Sequence, residues 1–289
     1  MPQFKVKDGH DLEILDNGIN SEKAIIFHHG TPGHFSAWNS WLEEAALRGI
    51  RALSYSRAGY GTSDRHLGRS VFSNNSDISS LLDGKNVSTF VAIGWSGGGP
   101  HALANTFDHR NIGAITLAGV GEFGSPDLNF LDGMGAENHD EFGAALLGET
   151  VLDTWMNENA TSMKNVTGAE IKAAFGGLIG DADKAVIEGE FADQMAAVMR
   201  AALAVSFDGW IDDDLAFVKP WGFDLNTISK PVFIWQGDDD FMVPHSHSKW
   251  LAERIPGAQL KFVPGHGHIS LIEKYRPEIL DQAQALLGH

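Results

Sequence analysis

The sequence predicts an α/β fold: a mostly parallel sheet with helices on both faces. Two observations carry that prediction. Short apolar runs alternate with helix-forming stretches along most of the chain. The runs, such as Thr89-Phe-Val-Ala-Ile93, are apolar throughout, as strands covered on both faces must be. A third observation adds chemistry: Gly94-Trp-Ser-Gly-Gly-Gly99 joins that strand to a helix-forming run from His101 to Phe107. A glycine-flanked serine between strand and helix makes a crowded turn that pushes one hydroxyl out of the sheet. The first N–H groups of the following helix point toward the same spot.

The remaining elements follow in order. Phe4 to Val6 and Leu12 to Leu15 flank Lys7-Asp-Gly-His10, a hairpin signal. Ala24 to Phe27 reads as a strand ending at His28-His-Gly-Thr-Pro-Gly33. Ala37 to Arg48 reads as a helix stopped by Gly49. Arg51 to Tyr55 is the next strand, Asn75 to Leu82 a short helix, and Ile112 to Leu117 another strand. From about Gly121 to Ser229 strand signals are few. Glu141 to Leu147, Ala169 to Phe175, Ala182 to Ile187 and Phe191 to Ala204 read as helices, with Phe191, Met195 and Met199 at the spacing of helix packing. Strand–helix alternation resumes at Pro231 to Gly237, then Leu260 to Val263, and closes with one helix from Leu271 to Leu287. The economical division is a core of residues 1–120 and 230–289, interrupted by a helical cap at 121–229. Such an insertion sits above the strand ends, where open α/β sheets bind ligands.

Composition narrows the chemistry. The 289 residues include no cysteine, which excludes disulfides, thiolate metal sites and cysteine nucleophiles. The net charge of −17, from 38 acidic and 21 basic residues, disfavours nucleic acid and anionic membranes as partners. The N-terminal stretch has no apolar signal core, so the expectation is a cytoplasmic protein acting on a small-molecule substrate. Composition does not indicate an oligomeric state.

A serine nucleophile needs a base, and the base needs an orienting acid. His268, on a glycine-rich loop after the last strand, is the leading base, with His266 its competitor. Asp240 is the leading acid, again just after a strand, with Asp238, Asp239 and Glu122 as rivals. The order Ser96, Asp240, His268 is the one associated with this type of elbow. An oxyanion hole needs two N–H donors. Gly97, next to the nucleophile, supplies one, and Thr31 is the choice for the other. The side chains of His28 and His29 are expected to be structural.

These pieces together resemble the α/β-hydrolase superfamily over nearly the whole chain. The matching motifs are His29-Gly-Thr-Pro-Gly33, Arg57-Ala-Gly-Tyr-Gly-Thr-Ser63, Gly94-Trp-Ser-Gly-Gly98, Gly237-Asp-Asp-Asp240 with Val243-Pro244, and Gly265-His-Gly-His268. The resemblance implies an eight-stranded sheet with a helical cap. Its spacing selects Asp240 and His268 over their neighbours. Ser56 and Ala58 depart from the aspartate and proline that many relatives carry there.

Other motifs compete less well. Gly119-Val-Gly-Glu-Phe-Gly124 fits a dinucleotide fingerprint, but Ser125-Pro-Asp127 follows where a helix should open. His245/His247 and His266/His268 lack the spacing of a metal site. No cofactor and no metal ligand are therefore expected. The leading function is hydrolysis of a carboxylic ester through an acyl-enzyme. A prolyl-iminopeptidase-like aminopeptidase is the alternative, with Glu141, Glu149, Glu158 or Glu190 available to hold an ammonium group, although a solvated acidic face is the simpler reading of those four. A non-catalytic ligand-binding protein on the same fold is the third reading. The segment 121–229 is expected to govern substrate choice and to leave the bond-breaking chemistry to the sheet, with Trp155, Phe175, Trp210 and Trp221 as candidate pocket residues.

Overall fold

A computed structural model describes residues 3–288. Met1 and Pro2, part of the stretch read for a targeting signal, and His289 lie outside the described residues. Eight strands form one sheet: β1 Gln3–Lys5, β2 Asp11–Asp16, β3 Lys23–His28, β4 Arg51–Tyr55, β5 Thr89–Trp95, β6 Asn111–Leu117, β7 Val232–Gly237 and β8 Gln259–Val263. Their order is β1-β2-β4-β3-β5-β6-β7-β8. β1 pairs with β2, and β2 with β4, in antiparallel fashion. All remaining pairs are parallel. The fold class is the one read from the sequence.

The central strands are apolar throughout because both of their faces are covered. Ile25 and Phe27 of β3, and Val91 and Ile93 of β5, pack into one layer with Trp38, Trp41 and Leu280. Ile26, Phe90 and Ala92 point the other way, into a layer with Leu81 and Leu103. This is the period of two expected along a strand. Ile25 lies opposite Val91, and Ile26 opposite Ala92, so each face stays in register across the sheet.

Three helices connect the first strands: α1 Asn39–Leu47, α2 Asn74–Gly84 and α3 Gly98–Ala104. Between β6 and β7 lie α4 Ala136–Leu146, α5 Glu149–Asn159, α6 Gly168–Ala174, α7 Asp181–Val186, α8 Gly189–Ala202 and α9 Asp208–Phe217. They bury their own cluster, including Leu152, Met156, Ile171 and Ala196. After β7 come α10 His245–Arg254, α11 Ser270–Lys274 and α12 Arg276–Leu287.

Some expectations need correction. The closing stretch is two helices, not one. Pro277 lies in the first turn of α12, where its missing N–H is harmless, whereas inside one continuous helix it would break a bond to the preceding turn. The helix expected from Ala37 begins as a tighter single turn, Phe35–Trp38, before α1. Helices α5, α9 and α10 had no counterpart in the sequence reading. In α9 the reason is physical: its apolar pattern is interrupted by Asp212-Asp-Asp214, and consecutive acids normally mark solvent.

Candidate active site

The β5–α3 turn holds Ser96 at φ +56°, one of three described non-glycine residues with positive φ. Ser96 N–H donates to the Leu117 carbonyl at 2.9 Å, and the Ser96 carbonyl accepts Gly99 N–H at 2.9 Å. The flanking glycines are steric necessities. A Cβ at Gly94 would strike the Gly98 carbonyl, and one at Gly98 would strike the carbonyl of His28. The turn closes tightly enough to strain the serine only because positions 94 and 98 carry no side chain.

His268 and Asp240 meet, although 28 residues separate them. His268 Nδ1 and Asp240 Oδ2 are 2.9 Å apart. Both side chains are buried, at 1% and 0% exposed. Asp240 Oδ1 accepts the backbone N–H groups of Met242 at 3.0 Å and Val243 at 2.8 Å. Its Oδ2 also accepts Gln236 Nε2 at 3.1 Å. Four donors therefore fix the carboxylate in one orientation, and the carboxylate fixes the imidazole. Ser96 and His268 line one cavity of about 380 Å³.

The rivals are occupied elsewhere. Asp238 caps Gly265 N–H at 2.6 Å and Asp239 accepts Ala182 N–H at 2.9 Å. Glu122 accepts Trp221 N–H at 2.9 Å. His266 stacks edge-on against Tyr275. Gly119 to Gly124 opens no helix, since α4 begins at Ala136. His247 is buried between Gly121 N–H and the Phe130 carbonyl, and burial lowers its pKa to about 4.

Thr31 and Gly97 face each other: a Cβ at Gly97 would collide with Thr31 Oγ1. The Thr31 loop is held from behind by Arg57, which is fully buried. Arg57 donates to the His29 carbonyl at 2.5 Å, the Gly30 carbonyl at 2.8 Å and Thr31 Oγ1 at 3.0 Å. The counter-ion is Asp213 of α9, which takes Arg57 Nη2 at 2.6 Å, Tyr60 Oη at 2.8 Å and Thr31 Oγ1 at 2.6 Å on Oδ2. Arg69 Nη1 lies 2.6 Å from Asp213 Oδ1. Burial pushes the Asp213 carboxyl up, but the Arg57 and Arg69 guanidiniums outweigh it and hold it well below the usual range. His28 bonds Tyr55 and Asn105, and His29 accepts Arg57 N–H at 3.0 Å. Burial, reinforced by positive neighbours that include Arg57, holds both imidazoles well below their ordinary pKa, so both are neutral.

Three acidic groups near the site escaped the sequence reading. Asp183 of α7 is fully buried and accepts the backbone N–H groups of His268 at 2.9 Å, Ile269 at 3.0 Å and Ser270 at 2.7 Å. The helical segment therefore reaches into the loop that carries His268. Asp213 is the second group. Asp214 is the third: it lines a smaller cavity of about 100 Å³ together with Ser96, Glu141 and Trp210. No donor from outside the pair reaches an Asp214 oxygen; its carboxyl faces that of Glu141, whose Oε1 accepts Trp210 Nε1 at 2.6 Å. Burial, reinforced by Glu141, raises the Asp214 carboxyl well above its ordinary pKa. Burial raises Glu141 as well. Glu141 is thus no part of a solvated face, whereas Glu158 and Glu190 are exposed and Glu149 pairs with Arg65 at 2.7 Å. A signal was available for Asp212 and Asp213 of α9. The loop after β4 carries Arg57, Arg65 and Arg69; Arg65 takes Asp212, and Arg57 and Arg69 take Asp213.

Of the four candidate pocket aromatics, Phe175 and Trp210 line the cavities. Trp221 is fully buried in the core instead, and Trp155 packs among the helices. Phe191, Met195 and Met199 pack as expected, and they also line the larger cavity. Among the described residues, no helix is long and apolar enough to cross a membrane.

The sheet, the serine turn and the loop positions define a class. Residues 23–275 match the family model described as alpha/beta hydrolase fold, so the chain belongs to that family and is an α/β-hydrolase. Among its relatives, it is 26% identical over 281 residues to a non-heme haloperoxidase of Rhodococcus erythropolis, covering 93% of each chain. Among solved structures, it superposes on an enol-lactonase from Burkholderia xenovorans LB400 with a TM-score of 0.73, at 18% identity and 100% coverage of both chains. It superposes on the esterase RhEst1 from Rhodococcus sp. ECU1013 with a TM-score of 0.71, at 20% identity, covering 99% of this chain and 98% of that one.

Proposed function

We propose that the protein hydrolyses a carboxylic ester through an acyl-enzyme on Ser96. The observation that carries this reading is the strained serine opening on the same cavity as a buried imidazole held by a carboxylate at 2.9 Å. Ser96 Oγ attacks the carbonyl while His268 Nε2 takes its proton. Asp240 holds the ring and stabilises the imidazolium. Gly97 N–H and Thr31 N–H receive the developing oxyanion. His268 then protonates the leaving alcohol, and water attacks the acyl-enzyme by the same route in reverse. Relatives named as an esterase and an enol-lactonase support the ester as substrate class. The chemistry needs no cofactor. We further propose that residues 121–229 form a cap that selects the substrate and shields the acyl group from water.

The test is a graded series of p-nitrophenyl esters, with a fluorophosphonate label located by mass spectrometry. Turnover of an ester with label on Ser96 is the expected result. Label elsewhere overturns the assignment. A burst of one equivalent without turnover favours a ligand-binding protein.

A second reading, an aminopeptidase, is favoured by one feature: the buried Glu141 and Asp214 carboxyls share a cavity with Ser96. They could receive a substrate ammonium group. Amino-acid and prolyl p-nitroanilides, run beside the esters, decide between the two readings.

A further inference from the structure

Away from the Ser96 cavities, three side chains from distant parts of the chain converge beside the N-terminal hairpin. His10 ends the turn between β1 and β2, His66 lies on the loop after β4, and Asp77 is in the first turn of α2. One ligand atom from each lies within 4.8 Å of the other two. His10 Nε2 and Asp77 Oδ1 are 3.1 Å apart, yet neither makes a well-aligned hydrogen bond. Two ligands held about 2.0–2.1 Å from a shared tetrahedral ion would stand about 3.3 Å apart. The His10 and His66 rings lie 5.3 Å apart between centroids.

Asp77 is only 2% exposed. A buried carboxylate is costly unless it is paired or bound to a metal. Arg69, on the same loop as His66, gives its guanidinium to Asp213 at 2.6 Å instead. Two imidazole nitrogens and one carboxylate oxygen form a donor set that suits a borderline divalent ion, with water in the fourth position.

We propose that His10, His66 and Asp77 bind one divalent transition-metal ion, zinc foremost, as a structural site. The ion ties the hairpin turn, the loop after β4 and α2 together. That loop also carries Arg57 and Arg69, which hold the Thr31 loop through Asp213, so the site braces the support of the cavity wall without entering the chemistry. The sequence reading assigned no metal ligand, because the three residues share no local spacing; only the fold brings them together. Nothing in this proposal depends on Ser96 being a nucleophile.

The test uses the full chain, stripped with a chelator and titrated with Co2+. The expected result is one equivalent bound, with the visible d–d bands of a four-coordinate ion, displaced by Zn2+, and a higher Tm in the presence of zinc. His66→Ala leaves the His10–Asp77 contact in place, so it separates a metal site from a plain ion pair. Its Co2+ affinity should fall by more than about 10–100-fold, the range that losing even a supporting partner of a ligand costs. Asp77→Asn should fall likewise. His245→Ala, an exposed histidine elsewhere, should bind as wild type. Unchanged binding in His66→Ala means adventitious surface histidines and overturns the proposal. Absence of a one-equivalent Co2+ signal in the wild-type protein overturns it however the variants fold.

Discussion

The carboxylate of Asp183 accepts the backbone N–H of His268 at 2.9 Å, and its other oxygen takes the N–H groups of Ile269 and Ser270. An acid from the helices between β6 and β7 thus caps the start of α11 and holds the loop of the proposed general base. The clasp is reciprocal. Asp239, next to the proposed acid, accepts Ala182 N–H at 2.9 Å, and Ile179 bridges Asp240. The segment proposed to enclose the substrate is therefore also a support of the imidazole loop.

Asp183→Ala should lower kcat with little change in KM. Hydrogen bonds to a charged acceptor contribute about 1.5–3 kcal/mol each, and three are lost. Partial repacking should leave a kcat loss of roughly tenfold to a hundredfold, with the acidic limb of the pH–rate profile, where the general base must lose its proton, displaced. A variant that loses Tm but keeps wild-type kcat and pH profile would show Asp183 to be structural only.

Ser96→Ala should leave a folded protein with ester turnover reduced on the order of 10⁶-fold. Asp240→Asn should follow it most of the way. Asp238→Asn, Asp239→Asn and Glu122→Gln should each stay within roughly tenfold of wild type, because their carboxylates bond backbone N–H groups away from the imidazole. A crippled Glu122→Gln beside a near-normal Asp240→Asn would move the acid to the other loop.

Asp213→Asn should be among the most destabilising single changes in the chain. It strands two buried guanidiniums, Arg57 and Arg69, and removing one partner of a buried ion pair costs about 3–5 kcal/mol. Urea unfolding measures that loss. Because Asp213 also receives Thr31 Oγ1, the surviving folded fraction should show reduced kcat per active site, counted by fluorophosphonate titration.

Asp214→Asn should behave oppositely, and in a pH-dependent way. Burial raises the carboxyl in the folded protein above its unfolded value of about 3.9. The folded state then binds more protons than the unfolded one, so this group erodes stability as pH rises from about 4 toward the folded value. Glu141 faces it with like charge, Asp213 adds to the repulsion, and Arg69 offsets part of it. The Tm difference between Asp214→Asn and wild type should be more positive at pH 8 than at pH 5. Equal differences at both would mean that the pair carries no such penalty.

What was legible in the sequence is what local chemistry encodes. Gly94, Gly97 and Gly98 around Ser96 announce the turn because a Cβ at any of them would collide within a few residues or with the facing loop. Strand periodicity pointed to the parallel sheet because both faces of β3 and β5 must be apolar. Asp183 and Asp214 carry no local signal for the converse reason, and the one sign of Asp213 is the set of arginines on the distant loop after β4. A buried acid is made tolerable by partners far away in the chain, 85 residues for Asp183 with His268 and 156 for Arg57 with Asp213. The prior that an aspartate is exposed then points the wrong way. Glu141 was misread as solvated on that same prior.

The last prediction concerns substrate choice. Phe175 and Trp210 line the cavities at Ser96, whereas Trp155 and Trp221 do not. Phe175→Ala and Trp210→Ala should therefore change the ratio of kcat/KM for long against short acyl esters. Filling or vacating one apolar subsite of a pocket is worth about 1–3 kcal/mol, or roughly tenfold to two-hundredfold. Trp210→Ala carries a second effect. It removes the indole N–H from Glu141 and leaves two buried carboxyls with one donor fewer, so its Tm should fall further than that of Phe175→Ala. Trp155→Ala should keep the wild-type chain-length profile. Trp221, fully buried in the sheet-facing core, should lose stability on truncation by about 3–5 kcal/mol while its folded fraction keeps that profile. Labelling of Ser96 by a small fluorophosphonate, which needs little of the pocket, should change far less than ester selectivity in all four variants. If Phe175→Ala and Trp210→Ala both fold and retain the wild-type ratio, the helices between β6 and β7 do not choose the acyl group.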